Sequence, residues 1–461
     1  MTTSLALPEF FIGQMKDQLG EEAPAFLHSY DEPRTFGLRL NPLKLRPGDE
    51  AAAHIRALFA LEPVPWCEDG YYYGEMSRPG KHSYHAAGLY YIQEPSAMSS
   101  VELLQPQPGD IVLDLAGAPG GKSTQIAGKL QGQGLLVANE IHPARAKILS
   151  ENIERMGIAN AIVTSEPPDR LAAKFPQFFD KIMLDAPCSG EGMFRKDPDA
   201  ITEWSPDHVA MCAARQSDIL NEAAKMLKPG GVLAYSTCTF NREENERTIE
   251  RFVREHPAFE VERTERIWPH RDRGEGHFVA VLRCSGTAEE PPGGRSSRPD
   301  PAAGARGARR ETASALRDAL ALFEQFRRDA VPELALPAGE PLLYGGQLYW
   351  LPVPAGSQLG QARLAGLKVL RPGLHLAEAK KGRAEPAHAL ALALPRGGAS
   401  RELRLAAGSA EAAAYLRGET LPAEAGSSGW LAVSVDGYPL GWGKASGGQV
   451  KNHYPKGLRW L

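Results

Sequence analysis

IVLDLAGAPGGKS, residues 111–123, decides the fold. Ile111 to Leu115 is an almost continuous apolar run, and Ala116 to Gly121 contains only small residues and one proline. From Lys122 to Leu130 the spacing predicts a helix. A strand, a tight small-residue turn and a helix whose first amides face a crevice make a unit that lets a ligand approach the backbone closely. Working outward, the same alternation returns. LLVANE (135–140) reads as a second strand, followed by a helix from Pro143 to Met156. AIVTS (161–165) and KIMLDAP (181–187) give the third and fourth strands, Asp207 to Leu227 a long helix, and GVLAYSTC (231–238) a fifth strand. Strands this apolar, alternating with helices, are covered on both faces, which predicts an α/β, doubly wound parallel sheet. Ligands of such sheets bind at the carboxyl ends of the strands. Those ends, after Leu115, Asn139, Ser165, Leu184 and Ser236, should ring one crevice.

At 461 residues, 43% hydrophobic and 23% charged, the composition excludes a collagenous or wholly disordered chain. No apolar run approaches a membrane span, and Met1 to Gly20 lacks the basic-then-apolar order of a secretory leader. Five cysteines without a CxxC pair argue against a disulfide framework or a zinc ribbon, so a reducing cytoplasm is expected and no metal. Residues 1–283 hold 30 basic and 40 acidic side chains, residues 284–461 hold 22 and 16. A basic end can meet a polyanion, and a solvated basic face explains the count equally well.

Ser285 to Glu311 has no Val, Ile, Leu, Met, Phe, Tyr or Trp and reads as a flexible linker. The expected division is 1–90, 91–284, the linker 285–311 and a module 312–461. In the first part, Pro8 to Leu27 has helical spacing and Thr35 to Leu45 alternates like a strand. Tyr71, Tyr72, Tyr73, Tyr84, Tyr90 and Tyr91 fit a packed sheet better than a base-stacking platform.

Two readings compete for the glycine loop. Ala116 through Ser123 differs at one residue from a phosphate-binding loop, GxxxxGK[ST], having Ala at the first Gly, with Ile182 to Asp185 posing as the magnesium-binding strand of an NTPase. Alternatively the loop serves a nucleoside cofactor, with an acid about 20 residues on for the ribose. Glu140 fits that role, and Pro119 removes a donor that a phosphate cradle needs, which favours the nucleoside. The cysteines add most. Cys188 follows the fourth strand in DAPCSG and Cys238 follows the fifth in YSTCTF, so both open onto the crevice, where a thiolate is a nucleophile. Cys67, Cys212 and Cys284 read as small buried hydrophobes.

DLAGAPGGKS, NE, DAPCSG and YSTCTF, in this order and spacing, resemble the RNA cytosine-5 methyltransferases of the Nol1/Nop2/Sun family. Arg39-Leu40-Asn41 and Gln93-Glu94-Pro95-Ser96 are similar to that family's leading segment. Glu191 to Lys196 and Gly274 to Phe278 resemble its bacterial ribosomal-RNA branch, and GWGKASGGQVKNHYPKGLRWL resembles the PUA-like RNA-binding end of that branch. The resemblance implies a Rossmann-like catalytic domain between a small N-terminal α+β domain, involved in RNA binding, and a β-rich PUA-like module. It also implies S-adenosylmethionine as cofactor and 16S rRNA, possibly within the small subunit, as partner of a chain expected to be monomeric. A tRNA enzyme of the family is the alternative, with an NTPase or a non-catalytic assembly factor further behind. By resemblance Cys238 is the nucleophile, Cys188 the residue that releases the product and Asp185 the partner of ring nitrogen 3. Ala116, Gly117, Ala118, Pro119, Gly120, Gly121, Lys122, Glu140 and Asp185 would hold the cofactor. The family's adenine-binding acid aligns with Pro167, which leaves that contact unassigned, Glu166 being one candidate. Lys444, Lys451, His453, Lys456 and Arg459 among Trp442, Tyr454 and Trp460 suit backbone neutralisation with base stacking, or a barrel core with a polar rim.

Overall fold

The computed structural model describes residues 6–286 and 303–460, apart from Pro47, Pro198 and Lys381. Its centre is an eight-stranded sheet in the spatial order Phe259–Ile267, His277–Cys284, Leu227–Thr237, Phe179–Asp185, Ile111–Asp114, Leu135–Asn139, Ala161–Thr164 and Val369–Arg371. The five strands from Leu227–Thr237 to Ala161–Thr164 run parallel, and the outer ones pair antiparallel. Both faces are covered. Helices Ser99–Leu104, Gly121–Leu130 and Pro143–Arg155 bury Leu104, Ile126, Leu130, Leu149 and Ile153 on one side. Pro168–Lys174, Pro206–Met226 and Glu246–Glu255 bury Leu171, Leu220 and Phe252 on the other. This is the doubly wound Rossmann-like arrangement, and it brings the five strand ends to one edge.

The edge strand Val369–Arg371 comes from the C-terminal part and pairs with Ala161–Thr164, Ser165 N–H donating to Lys368 O at 2.9 Å. Glu154 receives Arg371 and, at 2.9 Å, His388 Nδ1, while Arg371 Nε donates to Ser150 Oγ at 3.1 Å. The helix Pro143–Arg155 therefore carries the C-terminal part as well as the sheet. That part builds a four-stranded and a five-stranded sheet of its own.

The N-terminal four-stranded sheet is antiparallel, in the order Glu62–Val64, Cys67–Tyr72, Gly37–Leu40, Tyr90–Ile92. Tyr72, Tyr84, Tyr90 and Tyr91 are buried and Tyr71 and Tyr73 half-buried, as a packed sheet requires. Arg39, 1% exposed, donates to Gln93 Oε1, Gly121 O and Thr124 Oγ1, fastening this sheet to the helix behind the glycine loop. Three local expectations are corrected. The helix over 8–27 is two helices, Glu9–Leu19 and Ala23–His28, broken at Gly20, whose φ of 55° a β-carbon disfavours. The strand over 35–45 spans only Gly37–Leu40, because Asn41 Oδ1 accepts Leu43 N–H and turns the chain. A helix covers Ala303–Ala330, so residues 303–311 of the expected linker are helical, in keeping with their Ala and Arg content. The part of that linker at 287–302 lies outside the described residues.

Candidate active site

The glycine loop leaves the strand Ile111–Asp114 and enters its helix at Gly121 through Gly120, whose φ of 122° only glycine adopts easily. A β-carbon on Gly117 would lie 2.8 Å from Ser123 Oγ and 3.2 Å from Asp114 Oδ2, so the loop is as small as its packing allows. Asn152 and Arg145 hold its outer side, donating to Pro119 O at 2.8 Å and Ala118 O at 3.0 Å. Asn139 ties the strand ends together. Its Nδ2 donates to Leu115 O and Glu166 O, and its Oδ1 accepts Thr164 Oγ1 and Glu166 N–H.

Asp114 is fully buried. Its Oδ2 accepts Ser123 Oγ at 2.5 Å, while Oδ1 has no partner. Burial lifts this carboxyl to about 7, against the pull of the Ser123 hydrogen bond. An orphaned acid oxygen behind a loop with no room for a side chain fits a ligand that brings a cation. Glu140, also buried, accepts His142 N–H at 3.0 Å and faces Arg145 at 3.4 Å.

Lys122 Nζ, pointing into the crevice, meets Asp185 Oδ2 at 2.8 Å, and Ser236 Oγ donates to Asp185 Oδ1, also at 2.8 Å. Burial opposes ionisation of Asp185, but the Lys122 ammonium outweighs it and holds the carboxyl below its usual range. The Asp185 side chain stays 37% exposed, open enough to meet a substrate. His277 Nε2 lies 3.9 Å from Asp185 Oδ1, too far for a hydrogen bond, and is unpartnered. Burial, then Lys122, push this imidazole down to about 3, so it is neutral.

Cys188 and Cys238, both half-buried, face each other with sulfurs 3.4 Å apart across adjacent strand ends. The hydrogen bond with the Cys238 sulfur, reinforced by burial, keeps the Cys188 thiol well above its usual range. At this separation either thiol can donate to the other. Cys67, Cys212 and Cys284 are buried elsewhere.

Among the sequence-selected residues, Asp185, Cys188, Cys238 and Lys122 thus meet in one crevice with the glycine loop beside them. Glu166 does not join them. It is fully buried, accepts Lys368 N–H at 2.5 Å and faces Arg170 at 3.4 Å, holding the C-terminal strand. The stacking candidates also change. Trp442 is 1% exposed with Nε1 donating to Ala387 O, and Tyr454 is buried, so both are core. Trp460 stays half-buried, and so does Trp430, with Lys444 Nζ 5.4 Å from its centroid and His453 against it at 4.5 Å. Sequence reading passed over Trp430, Asn139 and His277. Asn139 and His277 stood in quoted motifs, NE and Gly274 to Phe278, without a role; Trp430 stood in none.

Fold and crevice together are those of a Rossmann-like methyltransferase. The family model for 16S rRNA methyltransferase RsmB/F matches residues 101–283, and that for the N-terminal domain of 16S rRNA methyltransferase RsmF matches 7–95. The RsmF first C-terminal domain matches 325–394 and the RsmF PUA domain 402–460, two stretches where one module was expected. Ribosomal RNA small subunit methyltransferase F of Shewanella amazonensis is 34% identical over 94% of this chain and 93% of its own. That of Klebsiella pneumoniae is 35% identical over 98% and 96%. A methyltransferase homolog protein from Pyrococcus horikoshii superposes with a TM-score of 0.53 at 28% identity, over 60% of this chain and 96% of that one. NSun6 from Pyrococcus horikoshii with SFG shares the fold, with a TM-score of 0.54 at 22% identity over 62% and 100%. The chain belongs to the RsmF family of rRNA methyltransferases, within the Sun-type enzymes. Among the described residues no helix is long and apolar enough to cross a membrane.

Proposed function

We propose that the protein methylates carbon 5 of cytosine in 16S rRNA, in the cytoplasm, through a covalent bond between Cys238 and the base. The observation that carries this reading is the pair of thiols 3.4 Å apart beside the Lys122–Asp185 ion pair. Carbon 5 of cytosine is a weak nucleophile, and addition of a thiolate at carbon 6 turns the ring into an enamine. Neutral Cys188 donates to the Cys238 sulfur and favours its anion over the thiol. Asp185, with one oxygen on Lys122 and the other on Ser236, faces the crevice where ring nitrogen 3 would sit. There it can pass a proton from the Lys122 ammonium to nitrogen 3, neutralising the negative charge that builds on the ring as the Cys238–carbon 6 bond forms.

Ala116–Lys122, with Glu140 for a ribose and Asp114 for a cationic group, would hold S-adenosylmethionine, which would supply the methyl group. Once the Cys238 sulfur is bonded to carbon, it no longer holds Cys188 protonated. Cys188 can then lose its proton to the open side of the crevice and accept the one on carbon 5. The carbon 6–sulfur bond breaks as that proton leaves, and its electron pair returns to Cys238.

The base must leave its stack to reach the thiols. Trp430 with Lys444 offers a partly exposed surface for stacking and phosphate contact on the PUA part. Methyl-labelled S-adenosylmethionine with unmodified 16S rRNA, small subunits or tRNA tests the reading by nucleoside mass analysis. We expect 5-methylcytidine in 16S rRNA or the subunit. Label confined to tRNA, or a methylated base other than cytosine, overturns it.

A further inference from the structure

Two carboxylates take no part in this chemistry, yet both are fully buried: Glu191, three residues beyond Cys188, and Glu244, six beyond Cys238. Neither has a cation at ion-pair distance among the described residues. Each reaches across to the other cysteine's loop. Glu244 Oε2 accepts Ser189 N–H and Gln216 Nε2, both at 2.9 Å, and its Oε1 accepts Ser189 Oγ. Glu191 Oε2 accepts Phe240 N–H at 2.9 Å, and its Oε1 accepts Trp204 Nε1 at 3.1 Å and Asn241 Nδ2 at 3.4 Å. Between the two, Ser189 Oγ meets Thr239 Oγ1 at 3.0 Å and Gly192 N–H donates to Cys238 O at 2.8 Å. Gly192 has no room for a side chain, since a β-carbon would lie 2.9 Å from Cys238 O.

We propose that Glu191 and Glu244 form a reciprocal clamp: each carboxylate extends from one cysteine's loop, grips the backbone next to the other cysteine and so fixes the thiol–thiol separation. Both are positioning residues. The proposal rests on the reading that the two thiols work as a pair. A buried carboxylate is costly unless its oxygens are hydrogen-bonded, and these are bonded chiefly to the two loops. The N-terminal helices brace the clamp from outside, Tyr30 OH donating to Glu191 O at 3.0 Å and Phe26 packing on Phe240 at 4.9 Å.

The two sites differ in a way that gives a discriminating test. In Glu244→Gln the amide oxygen can take Ser189 N–H and Gln216 Nε2, while the new NH2 donates to Ser189 Oγ, whose proton turns to Thr239. In Glu191→Gln no such exchange works, because N–H donors face both oxygens. The full chain and its Glu191→Gln, Glu191→Ala, Glu244→Gln and Glu244→Ala variants are treated with a bifunctional thiol reagent spanning about the 3.4 Å gap, here dibromobimane. Cys188–Cys238 bridging is scored by peptide mapping, and kcat and KM for S-adenosylmethionine are measured alongside.

Glu244→Gln should bridge within threefold of the parent. Both alanine variants and Glu191→Gln should bridge at least tenfold more slowly. Their kcat should fall by about a hundredfold, the scale of an ångström's misplacement, with KM within threefold. If the alanine proteins do not fold, Glu244→Asp and Glu191→Asp decide by the same readings, because the shortened acids cannot span the gap. Parental bridging in the slow set, or equal behaviour of the two glutamine variants, overturns the clamp. A parent that bridges as described but transfers no methyl group to RNA instead overturns the function proposed above, leaving the clamp standing.

Discussion

Glu154→Gln should loosen the C-terminal part from the catalytic sheet by an amount the structure sets. Burial alone would raise this carboxyl. The hydrogen bond from His388 and the Arg371 guanidinium overcome that and hold it at about 2, against an ordinary 4.5. The difference corresponds to about 3 kcal/mol at neutral pH, not discounted for screening because the side chain is only 20% exposed. The sign follows from the depressed value: the contribution is complete above pH 4.5 and disappears as pH falls toward 2. Hydrogen exchange of the amides in Val369–Arg371 and in the helix His388–Ala393, corrected for intrinsic chemistry, reads the local opening. At pH 7 the variant should open on the order of a hundredfold more often than the parent. At pH 3 less than half of that free-energy gap should remain. Equal exchange at pH 7, or a gap that does not narrow with acid, would refute the assignment of Glu154 as the bolt.

Other consequences concern the crevice itself. Lys122→Met keeps the stem and removes the charge 2.8 Å from Asp185. Coulomb attraction there lies between about 1.5 kcal/mol in water and about 6 at an effective dielectric of 20. With Asp185 partly open and screened, kcat should drop roughly a hundredfold, and the acid limb of the pH–kcat profile should move upward. A profile that keeps its acid limb contradicts this. Asp114, lifted to about 7 by burial, stays protonated in the ligand-free fold until neutral pH, whereas a cationic ligand prefers the carboxylate. S-adenosylmethionine affinity should therefore rise from pH 6 to 8 with proton release, seen by calorimetry in two buffers. In Asp114→Asn it should not vary.

What the sequence made legible is what neighbouring residues decide. The apolar runs ending at Asp114, Asn139 and Asp185 and the small residues of 116–121 are local signals, and the sheet and the glycine loop follow from them. The edge strand Val369–Arg371 gave no such signal, because three residues carry no periodicity and its partner lies some 200 positions earlier. Glu166 looked like a pocket acid because it stands at a strand end, and only the distant pairing to Lys368 turns it inward. Trp430 and Trp442 are indistinguishable by composition. They sit on adjacent paired strands, and it is Trp442 that Phe326 covers and whose Nε1 reaches Ala387 O, contacts made by residues far away in the chain. The same limit hid the carboxylate clamp, whose members make sense only once the two loops touch.

In the proposed reaction Cys238 bonds to the base and Cys188 releases it. The most direct test incubates Cys188→Ala, Cys238→Ala and the parent with S-adenosylmethionine and unmodified 16S rRNA, followed by a denaturing gel. A protein–RNA adduct that accumulates with Cys188→Ala alone, linked through Cys238, is the predicted result. An adduct that accumulates with Cys238→Ala, or methylation by the parent with no adduct in any variant, would contradict the division of roles.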